Sequence, residues 1–575
     1  MGFVHLHCRS AYSMLEGTAL PQALVREARR LKMPSVALTD RNSMYGAVRF
    51  YVEALKAGIK PIIGMVADLD DGSSLTLLAR NNDGYRNLCH LCTVLRLQAD
   101  PGSLQPAGFS EEEDDEILPW ESGVWGVPVF GAERKPQAWR LAKEPRLPRE
   151  MLLSGRHTRG LVALSGGEHG LVNRLMREGK KAQAVKATGM LLSAFGEGNF
   201  FLELQVLRGD SEDLATMSQL ASLGAELGIP VVATNSVLYL RPEDAPTALA
   251  LAAVRLGRVS MHAGTGRLGA DMLSAGALPP SLQSVGGELQ SSDALHLEVG
   301  TRRYFKSSDE MEMLFKEYPQ ALANTLHISK ECNVELPLGK PLFPLIDVGN
   351  DTHFSRLWKR CFAGATRLYK PLTEGVISRL KNELEVIETL GFSPYFLVVY
   401  DIAQFARRND IPIMARGSAA NSLVAYVLGI TQVDPLANGL LFERFLNLSR
   451  AEFELPDIDL DLCWRRRDEV LHYIYKHYGR DHVATVGTHI TFRLRSAWRE
   501  MAKALGVSPG RTSYVASRLP ELVGVAMLED GEEESTGREE IDHTHTDHTH
   551  TGGERAPRLA DETERRAYSL AKSIE

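Results

Sequence analysis

The sequence predicts a multidomain α/β protein, and three observations carry that expectation. Short apolar runs alternate with amphipathic segments through roughly the first 240 residues, the pattern of strands covered by helices. A chain of 575 residues at about 150 residues per domain suggests three or four domains. The charges are clumped, which marks separate regions with separate tasks.

The elements follow in order. PQALVREARRL at 21–31 reads as an amphipathic helix, SVALT at 35–39 as a buried strand, and AVRFYVEALKAG at 47–58 as a second helix. The runs IKPIIGM (59–65), SLTLLAR (74–80), LVALS (161–165), FFLELQ (200–205) and PVVATN (230–235) read as further strands. Their continuous apolar character favours a parallel, helix-covered sheet or barrel over an exposed antiparallel one. Residues from about 100 to 150 are rich in Pro, Arg and acidic side chains and read as an inserted surface excursion. From 251 to 300 the chain is rich in Gly, Ser and Ala, a plausible connector. Helices are expected over 308–333 and 372–391, the second ending at Gly391, within a second compact region running to about 490. Beyond Leu505 the pattern thins into an acidic stretch and DHTHTDHTHTGG at 542–553, a small repeat on which no structure is forced.

Composition narrows the class. Hydrophobic residues are 44% and charged residues 24%, which excludes a disordered chain. The apolar runs fall short of the roughly 18 residues that span a bilayer, and MGFVHLHCRS lacks the plan of a secretory signal. Six cysteines (8, 89, 92, 332, 361 and 463) make no disulfide framework, so a soluble cytoplasmic protein is expected. A net charge of −8 excludes a globally basic nucleic-acid binder but not a locally basic groove. Residues 111–116 read EEEDDE, and 529–547 hold nine acidic side chains against Arg538 alone, whereas Arg465 to Lys503 is strongly basic.

The strongest motif is PDIDLDL at 456–462. On a strand, Asp457, Asp459 and Asp461 share one face at about 7 Å spacing, with Ile458, Leu460 and Leu462 on the other. Carboxylates so placed repel unless a cation sits between them, and hard oxygen ligands on a rigid strand suit Mg²⁺. The plain alternative is an exposed acidic strand or turn, against which stand the apolar opposite face and the poor strand propensity of Asp. Forty residues earlier, ARGSAANS at 415–422 offers small residues whose backbone N–H groups can approach an anion, with Arg416 and Ser418 as donors. Arg444 and Arg450 lie between the two motifs. After them, Val470, Ile474 and Tyr478 share one helical stripe and leave Arg465–Arg467, Lys476 and Arg480 for solvent or phosphates. The combination is what metal-assisted phosphoryl transfer needs. Two other motifs read as decoys. Cys89–Cys92 is a CxxC without a second pair and reads as helix packing, and His543, His545, His548 and His550 read as a repeat expansion rather than a metal site.

YFLVVYDIAQFARRNDIPIMARGSAANSLVAYVLGITQVDPLANGLLFERFL, PDIDLDL and RRRDEVLHYIYKHYGRDHVATVGTHITFRLRSAWREMAKALG resemble the palm and early thumb of the bacterial replicative (family C) DNA polymerases, the DNA polymerase III alpha subunits. The likeness runs through about 380–505. SAANS and the Ile, Leu and Leu of the aspartate motif resemble the error-prone, damage-inducible branch more than the main replicase. The resemblance implies that Asp459 and Asp461 bind two catalytic Mg²⁺ ions, and that Gly417 and Ser418, helped by Arg416, contact the incoming triphosphate. Ala415 stands where family members usually have Gly. FVHLHCRSAYSMLEG, ALTDRNSMYGAVRFY and GIKPIIG, within about 3–240, resemble the polymerase-and-histidinol-phosphatase (PHP) domain, a distorted (β/α) barrel. His7 and Glu16 match its metal-ligand positions and Asp40 lies beside one. Arg9 and Arg41 replace histidines, Val66 replaces a carboxylate, and Ser236 and Leu238 replace an Asp and a His, so no barrel metal cluster is expected.

The resulting expectation is a PHP-type barrel over 1–250 with its insert, a connector over 251–300, a mixed α/β polymerase palm over 301–491, and a partial helical thumb with an acidic, His-Thr tail over 492–575. The expected function is template-directed DNA synthesis by two-metal nucleotidyl transfer, error-prone and involved in damage-induced mutagenesis and translesion synthesis. Primer–template DNA and deoxynucleoside triphosphates are the implied partners, with a sliding clamp and translesion accessory proteins reached through a further C-terminal part, and no membrane. The resemblance places a third catalytic aspartate beyond the thumb, past Glu575, which makes the chain an expected N-terminal portion. A phosphoesterase in the barrel, or an inert DNA-binding or assembly fragment, are the alternatives.

Overall fold

In the computed structural model the described residues are 2–97, 145–207, 209–255, 302–339, 346–448, 457–479, 482–519, 559 and 562–574. The expected insert from about 100 to 150, most of the connector, Arg450, Arg480 and the His-Thr repeat lie outside them, apart from 145–150 and 251–255. The described residues divide into two compact units, one drawn from 1–103, 133–336 and 489–575, the other from 337–488.

The first unit is built on six strands: β1 (Ser35–Arg41), β2 (Lys60–Asp68), β3 (Ser74–Ala79), β4 (Leu161–Leu164), β5 (Phe200–Gln205) and β6 (Val231–Thr234), paired in that order. β1 and β2 run parallel, as do β4, β5 and β6. The all-parallel expectation fails at β3, which is antiparallel to both neighbours. Only five residues separate β2 from β3, too few for a crossover, so the chain turns back as a hairpin. The strands are buried almost end to end, as their unbroken apolar runs require. The N-terminal segment joins the two ends of this order. The carbonyls of His5 and Cys8 accept from β1, while His7 and Arg9 exchange backbone bonds with Val237, just past β6. Val4, Leu6, Ala37, Ile62, Leu78, Val162, Leu164, Phe201 and Val232 form one buried cluster, so every strand supplies the core that the curled sheet surrounds. This is the PHP-type barrel, distorted by its hairpin.

Helices α1 (Pro21–Arg30), α2 (Ala47–Ala57), α3 (Asn82–Leu97), α4 (Lys181–Phe195) and α5 (Ser211–Leu227) occupy the connections. α6 (Ala245–Arg255) follows β6. The expected helix over 308–333 is two helices, Ser308–Leu314 and α7 (Pro319–Glu331), because Pro319 fits a helix start but not an interior. Residues 302–336, read from sequence as the start of the palm, fall in the barrel unit. Asn324 donates to the carbonyl of Val231, the backbone N–H of Val4 donates to Thr325, and Ser35 and Ser329 share a hydrogen bond.

The second unit packs α8 (His353–Leu368), α9 (Glu374–Thr389) and α10 (Ser393–Arg408) with β7 (Ile413–Arg416), α11 (Leu423–Val427), β8 (Asp459–Leu462) and α12 (Arg467–Tyr478). Thr352 and Thr373 cap α8 and α9, and α9 stops as expected, with Gly391 in the left-handed region just beyond. Leu357, Leu380, Leu384, Phe396, Leu423 and Val470 belong to one core. Among the described residues no single helix is long and apolar enough to cross a membrane.

The segment 492–575, read from sequence as a partial thumb, groups with the barrel unit in its described residues. α13 (Leu494–Ala504), α14 (509–519) and α15 (Glu562–Ile574) share one core with Ala250 and Leu251 of α6. Trp498 is fully buried and donates to the carbonyl of Thr512, and Arg511 forks onto Glu564 at 2.6 and 2.9 Å.

Candidate functional site

β7 and β8 form a two-stranded antiparallel sheet whose register sets Arg416 opposite Asp459, Ala415 opposite Leu460 and Met414 opposite Asp461. Ile413 and Ala415 are buried, and Ile458, Leu460 and Leu462 pack against the same core. Arg416, Asp459 and Asp461 therefore stand on the open face, as the alternation of PDIDLDL requires. Arg416 Nε donates to Asp461 Oδ1 at 3.1 Å, and its Nη2 lies 3.9 Å from Asp459 Oδ2. The three side chains are 63, 54 and 56% exposed. One guanidinium thus faces two carboxylates, leaving the face net negative. Asp457 is exposed as well but precedes β8, where the Tyr395 hydroxyl accepts the N–H of Ile458 at 2.9 Å and fixes the entry of the strand.

The chain leaves β7 through Gly417, at φ +73°, into a 3-10 turn over Gly417–Asn421. A Cβ at Gly417 would meet nothing, so glycine is needed there for its backbone conformation. Ser418 is half-buried at the start of this turn. Ala415 sits two residues before Gly417, in a regular strand at ordinary negative φ, so an alanine there imposes no demand on the turn.

What holds the turn is a buried carboxylate that sequence reasoning missed. Glu383 of α9, 1% exposed, accepts Arg379 Nε at 2.6 Å, Ser422 Oγ at 2.9 Å and the N–H of Val424 at 3.1 Å. Arg379 donates onward to the carbonyls of Asn421 and Leu440, and Asn421 to that of Ser418. Ser422 caps α11. Burial pushes the Glu383 carboxyl above its ordinary value, against the opposing pull of Arg379 and the backbone donors. The available signal was a Glu on the apolar stripe of α9, between Leu380 and Ile387.

The basic helix α12 buries Val470 and half-buries Ile474, and the hydroxyls of Tyr473 and Tyr478 both donate to Asp401 of α10 at 2.6 and 2.9 Å. Arg465, Arg467 and Lys476 are exposed. Arg466 is not left for phosphates. It forks onto Glu469 at 2.7 and 2.8 Å and donates to the carbonyl of Asn409, because it caps the junction between α10 and α12.

In the barrel, the residues at and around the PHP ligand positions form a different kind of centre. Glu16 accepts from Arg9, Arg41 and Arg255 at 2.6, 2.6 and 2.7 Å. Arg41 also bonds Asp68 at 2.7 Å, and Arg303 pairs with Glu168. Burial alone would raise the Glu16 carboxyl, but Arg41, Arg9 and Arg255 outweigh it and hold it well below the usual carboxylate range. His7 is bonded to Glu203 at 2.7 Å, and Asp40 accepts from Ser10 and Ser13. Val66, Ser236 and Leu238 are buried. The arginines that replace ligands are therefore the cations of this centre. Among the described residues no three His, Cys, Asp or Glu side chains form a metal-holding group. Cys89 and Cys92 sit on α3, half-buried and buried, as free thiols that burial pushes above their ordinary value.

Two family models match the chain: "Bacterial DNA polymerase III alpha NTPase domain" over residues 355–562 and "PHP domain" over 5–206. An error-prone DNA polymerase of Symbiobacterium thermophilum is 36% identical over 523 residues, 90% of this chain and 42% of that one. The DNA polymerase III subunit alpha of Bacillus subtilis is 33% identical over 540 residues, 92% of this chain and 41% of that one. An error-prone DNA polymerase of Mycobacterium bovis is 33% identical over 545 residues, covering 92% and 43%. The chain spans about two fifths of the length of these relatives. The barrel lies within the second of these matched ranges and the aspartate strand and the turn at Gly417 within the first, and over about nine tenths of its length the chain is similar to bacterial DNA polymerase III alpha subunits and error-prone DNA polymerases.

Proposed function

We propose that this chain carries the nucleotide-binding and part of the metal-binding face of a DNA-directed DNA polymerase that performs template-directed synthesis, of the error-prone kind that acts in damage-induced mutagenesis and translesion synthesis. The observation that carries the reading is the half-exposed pair Asp459 and Asp461 on one face of β8, beside the turn that starts at Gly417. The pair fits a hard divalent cation. Its oxygens are anionic, same-sided and open to solvent, and the charge they receive from Arg416 is half of what they carry. Asp459 and Asp461 would hold two Mg²⁺ ions, which when bound activate the primer hydroxyl and neutralise the charge that develops on the transferred phosphoryl.

The chain's own groups do the positioning. The N–H groups of the turn at Gly417 and Ser418 are available to triphosphate oxygens, and the left-handed Gly417 lets the backbone approach them. Arg416, which bonds Asp461 and lies 3.9 Å from Asp459, would be the guanidinium that meets the triphosphate. Arg465, Arg467 and Lys476 supply exposed positive charge for the primer–template backbone. The names of two relatives and the SAANS turn favour the error-prone branch. A phosphoesterase in the barrel is the weaker reading, because Glu16 is already bonded to three guanidinium groups.

The test is primer extension on a primed template with Mg²⁺ and deoxynucleoside triphosphates, for the chain and for Asp459→Ala and Asp461→Ala. Loss of a metal carboxylate removes several kcal/mol of transition-state stabilisation, a fall of about 10³-fold or more. Extension that survives both substitutions unchanged would sink the reading.

A further inference from the structure

Trp464 lies three residues beyond Asp461 and is 75% exposed, a rare state for the side chain with most to gain from burial. Its backbone is nonetheless fixed on both sides. The N–H of Cys463 bonds to the carbonyl of Pro412, and that of Arg466 to the carbonyl of Cys463, which closes a turn with Trp464 and Arg465 at its tip. The bonds of Arg466 to Glu469 and to the carbonyl of Asn409 lock the far side. The Arg465 guanidinium sits 4.7 Å from the Trp464 ring centroid. A water-exposed aromatic plane on a backbone fixed at both ends, with a guanidinium over its ring, matches a nucleobase, whose π-face stacks on the ring while its phosphate meets the cation. An apolar protein surface is a poorer match, because the exposed Arg465 guanidinium lies over the ring.

We infer that Trp464 and Arg465 form a stacking platform for an unpaired nucleobase beside the Asp459–Asp461 face. The inference rests on the polymerase reading of that face. The base has two sources, a single-stranded stretch of template or the nucleoside triphosphate, and both present the same chemistry.

Tryptophan fluorescence of the whole chain is titrated with a short single-stranded oligonucleotide and, separately, with a deoxynucleoside triphosphate plus Mg²⁺. Wild type, Trp464→Ala and Trp464→Phe are compared, with circular dichroism as the check on folding. The expected result is quenching that disappears in Trp464→Ala, together with a loss of affinity of about 5- to 100-fold, most of it restored in Trp464→Phe. The titration that loses affinity identifies the source of the base. Equal affinity of wild type and Trp464→Ala for both ligands overturns the platform, as does binding of neither ligand by the wild type. Primer extension separates the two ideas: if wild type extends and Asp459→Ala does not, while Trp464→Ala binds both ligands like wild type, the polymerase reading stands and the platform falls.

Discussion

Each unit sets carboxylates against arginines, and the two arrangements differ in burial and in charge count. Glu16 is 10% exposed and held by three guanidinium groups within 2.7 Å. Around it, Arg9, Arg41, Arg255 and Arg303 face Glu16, Asp68 and Glu168, with the buried Asp40 also within electrostatic reach of Arg9, so the centre supplies its own counter-charges. Asp459 and Asp461 are more than half exposed and share one guanidinium, an excess of negative charge. Charge neutralised from within a dry site leaves no role for an outside cation, and its removal strands buried ions. Charge left unbalanced in a wet site costs little in stability and attracts cations from solution. In the barrel the carboxylates are matched by the chain's own guanidinium groups, whereas on the β7–β8 face two carboxylates share one guanidinium.

The comparison breaks first at Glu16. Replacing it by Gln takes away the carboxylate shared by three buried guanidinium groups, of which Arg41 keeps Asp68, and the expected loss is about 3–5 kcal/mol of stability in the barrel unit. Urea denaturation followed by hydrogen exchange would read it, with protection lost in β1 and β2 and retained in α9. Asp461→Asn, by contrast, is expected to move stability by at most about 1 kcal/mol, because the pair it breaks is solvent-exposed. Equal midpoints for wild type and Glu16→Gln would mean that the arginine centre is not structural.

Much of this was legible in the sequence, for reasons that differ by region. The barrel strands were readable because each is a short, mostly apolar run, and β8 because its aspartates alternate with Ile and Leu. The reversal of β3 left no mark in the strand itself, which is buried on both faces, but it was legible in the connection from β2, too short for a crossover. The broken ligand set at Arg9 and Arg41 could be read position by position, but not the role of Arg255. That residue lies 239 positions from Glu16, and nothing in a single sequence links the two. The packing of α13 and α15 on α6 is likewise a long-range contact among amphipathic helices that share no motif. Glu383 was visible only as an acidic residue on an apolar stripe, and its partners Ser422 and Val424 come from a later segment.

Acidification separates the two units in sign. His5, fully buried against Phe3 and Phe305, has its pKa lowered by burial to about 3. The folded barrel therefore binds fewer protons than the unfolded chain below the ordinary histidine value of 6.5. Its contribution is complete above that pH and is lost progressively toward pH 3. Glu16 and Asp68, both held below their ordinary values by Arg41 against the cost of burial, add a further loss below about pH 4.5. Glu383 works in the opposite direction. Its carboxyl is raised by burial, so the folded palm takes up a proton that the unfolded chain binds only at lower pH, and this group favours folding as the pH falls from neutral toward the ordinary value. Between pH 7.5 and 5.5, hydrogen-exchange protection corrected for intrinsic rates should fall in β1 and hold or rise in α9 and α11. A parallel fall in both units would remove the contrast.

The smallest effect concerns Arg416, and it tests whether the negative excess at the palm is what draws the cation. In the absence of metal its guanidinium satisfies Asp461 at 3.1 Å and approaches Asp459 at 3.9 Å, so a divalent ion binding there must displace it. An exposed pair of this kind is worth about 0.2–1 kcal/mol. Its removal in Arg416→Ala should therefore tighten binding of Mg²⁺, measured by calorimetry without nucleotide, by about 1.5- to 5-fold. The same substitution should weaken nucleotide incorporation, because the guanidinium freed by the metal is the one assigned to the triphosphate. The opposite directions are the informative part. A residue that merely supported β7 would lower both quantities when removed, whereas a cation that gives way to another raises one and lowers the other.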